Sequence, residues 1–194
     1  LRSKGVFSKV TSKIIDTEEP GLKDIVIEIE ERPTGEIMAG AGYGSDGSTF
    51  SVGIKENNFN GQGIILETNL NLTEQSIKGS LNYKHPNFRY SDRALSTSLE
   101  ISETDKLSNF GYKSSLNSIS IGTSYEQFEN TFFSPKLSIS NESLETTNDA
   151  SDAYKKQEGS YFDSSFSYGI NFDKRNSPYQ PTSGFKSSWY QSLP

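Results

Sequence analysis

The sequence predicts an all-β protein, part of an antiparallel up-and-down transmembrane β-barrel. Three observations carry that prediction. From Gly35 onward apolar residues recur at every second position in about nine runs of strand length, the period of a sheet with two unlike faces. Only 31% of the 194 residues are hydrophobic, yet 12% are aromatic, with ten Tyr and twelve Phe. That balance does not suit disorder, which is poor in aromatics. Finally, the connections between the runs alternate in kind.

Residues 1–33 read as a separate unit. "GVFSKVTSKII" and "DIVIEIEERP" are strand-like, and the turn signal "DTEEPG" divides them. Ile25, Ile27 and Ile29 alternate with Val26, Glu28 and Glu30, which predicts one wet face. The Glu28, Glu30 and Glu31 cluster reads as that solvated face. No metal is expected there, because neither His nor Asp stands at ligand spacing. Pro33 marks a boundary, and the barrel portion runs over 34–194.

"GAGYGSDG" contains a literal G-x-G-x-x-G at Gly42, Gly44 and Gly47. A phosphate-binding turn of that spelling must open a helix. Here "STFSVGIKENN" follows, with Phe50, Val52 and Ile54 on one parity, so the glycines belong to a β-hairpin with Ser45–Asp46–Gly47 at its tip. No nucleotide cofactor is expected. The later runs repeat the pattern: Leu66, Leu70 and Leu72; Ile77, Leu81 and Tyr83; Leu95, Leu99 and Ile101; Phe166, Tyr168, Ile170 and Phe172. Lys, Ser, Asn and Glu fill the other parity. The apolar parity is expected to face lipid and the polar one a wet lumen.

Counting connections from the one after "GYG", the even-numbered ones are "NNFNGQ", "HPNFRYSD", "EQFENT" and "DKRNSPYQPTSG". All lie at one end of a meander and bring aromatics: Phe59, Phe88, Tyr90, Tyr125, Phe128, Phe132, Phe172 and Tyr179. Rings gathered at one end predict an interfacial girdle, taken here as the periplasmic one. The odd connections, "SDGS", "TEQ", "SETDKLSN" and the stretch 141–160, are acidic and rich in Ser, Thr and Asn. They predict long polar outer loops, with 141–160 mobile and solvated.

Composition also excludes. A net charge of −6 leaves no basic stripe for nucleic acid. No cysteine is present, which removes disulfides and thiol chemistry. His85 is the single histidine and lacks a nucleophile motif around it, so no enzyme is expected. Asp173, Lys174 and Arg175 are positioned for ion pairs at a strand end. The chain begins at Leu1, and nine strands are an odd count where bacterial barrels close on an even one. It is therefore expected to be part of a longer protein that continues beyond Pro194.

Ordered motifs then add a resemblance. Gly5 to Val10, Ile25 to Gly35, Gly40 to Gly44 and Asn58 to Gly63 resemble the junction of the last POTRA module with the barrel in BamA-like outer-membrane assembly proteins. "NYKHPNF" is similar to a turn of that family, with His85 where an acid often stands, and "DKRNSPYQPTSGF" to another. The resemblance implies that 1–33 is the C-terminal part of a small α/β POTRA module in the periplasm. It implies that 34–194 is the first part of a barrel in the bacterial outer membrane. The implied activity is folding and inserting nascent barrels through a weak seam at the first strand. The implied partners are unfolded outer-membrane β-barrel clients, outer-membrane lipid and accessory lipoproteins, with no cofactor. Related TamA-like and two-partner secretion pores, which export a dedicated polypeptide, share much of the pattern and stay open as the alternative.

The first barrel strand fits that implied role on physical grounds. Glu36, Ile37, Met38, Ala39, Gly40, Ala41, Gly42, Tyr43 and Gly44 form a strand with little side chain to pack, which weakens pairing and register. Its edge is the expected site for pairing with a client strand.

Overall fold

The computed structural model describes residues 6–17, 21–44, 47–177 and 179–194, and they form two separate sheets. The first is a hairpin of β1 (Phe7–Asp16) and β2 (Lys23–Glu31). Its polar side chains pair across the strands: Lys13 Nζ reaches Glu28 Oε1 at 3.0 Å, and the Thr11 hydroxyl donates to Glu28. Glu28 is thereby committed to a cross-strand pair. Gly5 of the first motif and Glu18–Pro20 of the expected turn lie outside the described residues.

The second sheet holds nine strands in strict chain order: β3 (Gly35–Gly44), β4 (Gly47–Phe59), β5 (Ile64–Thr73), β6 (Ser76–His85), β7 (Ala94–Lys106), β8 (Tyr112–Phe128), β9 (Thr131–Thr146), β10 (Gly159–Asp173) and β11 (Lys186–Leu193). Every neighbouring pair is antiparallel, so the architecture is the predicted meander. Gly44 pairs with Gly47, which makes the G-x-G-x-x-G a hairpin as expected; Ser45 and Asp46 at its tip lie outside the described residues.

Register sorts the side chains. Ile37, Ile54, Thr68, Leu81, Leu99, Ile119 and Ile139 stand on one cross-strand row. One residue along each strand, Glu36, Lys55, Glu67, Asn82, Ser98, Ser120 and Ser138 form a row on the opposite face. Cross-strand hydroxyl pairs stitch the polar face, with Ser98 and Ser120 at 2.6 Å and Ser124 and Ser134 at 2.8 Å.

Neither face packs against a second layer. Among the described residues only Ile64 and Ala150 are buried apolar residues. The accessible surface is 14196 Å², where a compact globule of this mass would expose about 9,200 Å². A two-layer sandwich is thereby ruled out for these strands.

Three expectations need correction. The strands outrun the expected ten residues: β7 has 13, β8 has 17, β9 has 16 and β10 has 15. They continue where apolar alternation stops because Ser, Thr and Glu pairs sustain the ladder in water, as Ser115 and Ser143 do at 2.8 Å. Consequently β9 takes in 141–146 and β10 takes in 159–160, and the connection left between them, 147–158, is folded. A single helical turn, α1 (Leu107–Phe110), precedes β8, and another, α2 (Asp152–Lys155), lies in that connection. The Thr147 N–H donates to the Gly111 carbonyl at 2.8 Å, and Tyr112 and Tyr154 stack with centroids 4.2 Å apart. Lastly, because β7 reaches Lys106, the fifth connection takes in Phe110, so the odd end carries exposed aromatics too.

Candidate functional site

The site begins with β3. All ten of its residues are exposed, and it is the terminal strand of its sheet, paired on one side to β4 alone. Its two halves differ. Ile37 faces Ile54, and Met38 lies over Gly53, where an added Cβ would come within 3.1 Å of the Met38 methyl. Beyond Gly40 the polar-face parity is Gly42 and Gly44, each with open space where a side chain would be. Tyr43, on the other face, is 87% exposed. The sequence therefore builds an edge strand with side-chain packing at its start and almost none at its end.

That start is pinned. The Thr34 hydroxyl donates to Glu56 Oε1, and the Thr34 carbonyl accepts from both the backbone N–H and the side-chain amide of Asn57, at 3.3 and 3.1 Å. Glu56 also accepts the Asn58 N–H at 2.7 Å. Asn58 in turn takes the Gly63 N–H on its own side-chain oxygen at 2.7 Å, closing the 58–63 turn. Asn60, Gly61 and Gly63 adopt positive φ there, which is why the turn is written with Asn and Gly. A register shift between Glu56 and Phe59 leaves Asn57 and Asn58 without ladder partners on β5, so that both can serve this cluster. The motif drew attention to Asn58–Gly63, but the links to Thr34, Glu56 and Asn57 were not legible without the fold.

The expected girdle residues all sit toward the even end. Phe59 ends β4; Phe88 and Tyr90 lie in a short 3-10 turn (Phe88–Tyr90), with Arg89 and Tyr90 at positive φ. Tyr125 packs edge-on against Phe133 at 6.0 Å with Arg93 over its ring, and Phe172 meets Phe185 at 5.1 Å. Phe128 and Tyr179 are strongly exposed. Phe132 stands opposite Glu126 and Asn171, on the polar-face parity, so Phe133 is its apolar-face neighbour. His85 packs edge-on against Phe88 at 5.7 Å. Between this end and the hairpin lies a cleft of about 790 Å³, with Phe7 and Glu31 on one side and Gln62, His85 and Tyr90 on the other.

The eighth connection, 174–185, is the most tightly tied. Arg175 grips Asp173 with two parallel bonds, Nε to Oδ1 at 2.8 Å and Nη2 to Oδ2 at 2.6 Å. The carboxylate, hydrogen-bonded to the guanidinium, pushes Arg175 above its ordinary value. Asn176 holds the far side through Thr182 and Ser183. Gly184, at φ +87, lies against the Lys174 carbonyl with no room for a Cβ. Pro178 of this motif lies outside the described residues.

A broad, continuous apolar face with a polar one behind it fits a wall between lipid and a wet lumen. The described residues contain no helix long and apolar enough to cross a membrane, so any crossing falls to strands.

Comparison with known proteins agrees. Residues 58–193 match the model of the Omp85 superfamily domain. The fold is similar to the crystal structure of BamA from Haemophilus ducreyi lacking POTRA domains 1–3, with a TM-score of 0.73 and 24% sequence identity. That match covers 98% of this chain and 40% of the BamA chain, so this chain spans well under half of that protein. The chain belongs to the Omp85 superfamily, and its nine-stranded sheet is part of a bacterial outer-membrane β-barrel.

Proposed function

We propose that the chain carries the first barrel strands of a BamA-like assembly factor, which folds and inserts nascent β-barrel proteins by templating their strands on β3. The observation that carries this reading is the β3 edge itself. Its final residues offer almost no side-chain packing, with open space beside both Gly42 and Gly44. Such a strand is held by its ladder alone, and its outer N–H and C=O groups suit strand addition. No covalent step is required: when β3 parts from the closing strand of its own barrel, the client contributes hydrogen bonds that β3 would otherwise lack in lipid, where each unsatisfied group costs several kcal/mol. In this reading the β1/β2 hairpin is the end of a periplasmic POTRA module, and accessory lipoproteins dock on the periplasmic side.

The test uses the complete protein in proteoliposomes and follows the folding of a urea-unfolded client barrel against empty liposomes. The reading predicts clear acceleration for several unrelated clients. Steady conductance without acceleration would sink it and favour a pore that exports one dedicated polypeptide.

A further inference from the structure

We infer that β3 is anchored at one end only. The Thr34–Glu56–Asn57 cluster is a latch that holds the start of the strand while its far half frays from Gly44 inward.

Three independent features point the same way. The latch supplies three hydrogen bonds outside the β3–β4 ladder, all at Thr34. The side-chain contact that β3 makes with β4, Met38 over Gly53, falls in the same half. In the other half Gly42 and Gly44 touch nothing with a side chain, and Gly in a strand costs backbone entropy. The neighbouring strand does not share this looseness. At the same end β4 is tied down, because the Ser48 N–H donates to Glu74 Oε1 at 3.0 Å. When the hairpin opens there, β3 moves and β4 stays.

The latch does not touch the β3 edge, so Thr34 and Glu56 are positioning residues. They fix where β3 starts, and so set the register that any added strand must adopt. That use in templating rests on the proposed function; the one-ended anchoring does not.

Hydrogen exchange on the complete protein in lipid vesicles tests the anchoring. Peptides that divide β3 at Gly40 are compared after correction for intrinsic rates. Protection over 35–39 should exceed that over 40–44. Thr34→Val, which replaces the hydroxyl with a methyl group, and Glu56→Ala should each speed exchange over 35–39 about tenfold, as loss of one or two hydrogen bonds implies. Segment 40–44 and the mid-wall segment 116–121 should not change, which also shows that the barrel remains folded. Thr34→Ser should restore the native rate. Equal protection in the two halves of the unmodified protein would overturn the proposal, as would Thr34→Val leaving 35–39 unmoved in a folded barrel. Client folding in the same vesicles reads the templating separately: its failure counts against the proposed function and leaves the exchange gradient standing.

Discussion

Phe50 and Ser143 stand on one hydrogen-bonded row of the sheet, linked through Leu72, Ile77, Glu103 and Ser115. The row begins in the apolar face and ends among hydroxyls. At the other end of the strands the reverse holds: Glu56 begins a row that reaches Leu66, Tyr83, Ile121, Leu137 and Phe166. The apolar belt therefore runs obliquely across the rows. Strands tilted to a barrel axis produce this stagger, since a belt level with the membrane must cross successive strands at shifted registers.

The belt makes a sharp distinction between adjacent residues. Ile119 lies in its middle, between Leu99 and Ile139, while Ser118 lies on the polar face between Glu100 and Ser140. In the complete barrel, Ile119→Arg should cost about 2–4 kcal/mol, the range for a cation near the bilayer midplane. Ser118→Arg, beside Glu100, should cost far less. Urea unfolding in lipid vesicles measures both.

At the odd end, Gly111 joins two connections. It sits at φ +72, and a Cβ there would lie 2.6 Å from the Ala150 nitrogen. Gly111→Ala should cost roughly 1–3 kcal/mol locally and release 147–158 from α1. Limited proteolysis should then cut within 147–158, while the strands remain resistant.

The Arg175 fork gives a third expectation. Lysine keeps the charge but cannot reproduce two parallel bonds to Asp173. Arg175→Lys should increase protease cutting in 174–185, and Gly184→Ala should do so more strongly, because its Cβ would overlap the Lys174 carbonyl. The rest of the sheet should be unaffected in both.

Strand identity, order and facing were readable from residues such as Leu81, Leu99 and Ile119, because a period of two reports a sheet with unlike solvents on its faces. Strand ends were not. Ser143 carries no apolar signal, yet its hydrogen bond with Ser115 extends the ladder. The 147–158 fold was hidden for a related reason: Tyr154 stacks on Tyr112, 42 positions away by their numbers. The edge of β3 was visible in its glycines, whereas the latch was not. Thr34, Glu56 and Asn57 are ordinary polar residues until the pairing of β3 with β4 brings them together.

The central claim is that the β3 edge receives an incoming strand. A photo-cross-linking residue placed at Ile37 or Tyr43, which are 80% and 87% exposed, tests it most directly during client folding by the complete protein. Client adducts should form at both positions while folding proceeds and fade once the client is released. Adducts no more abundant than those from Ile119 or Ile121, in the middle of the wall, would contradict it.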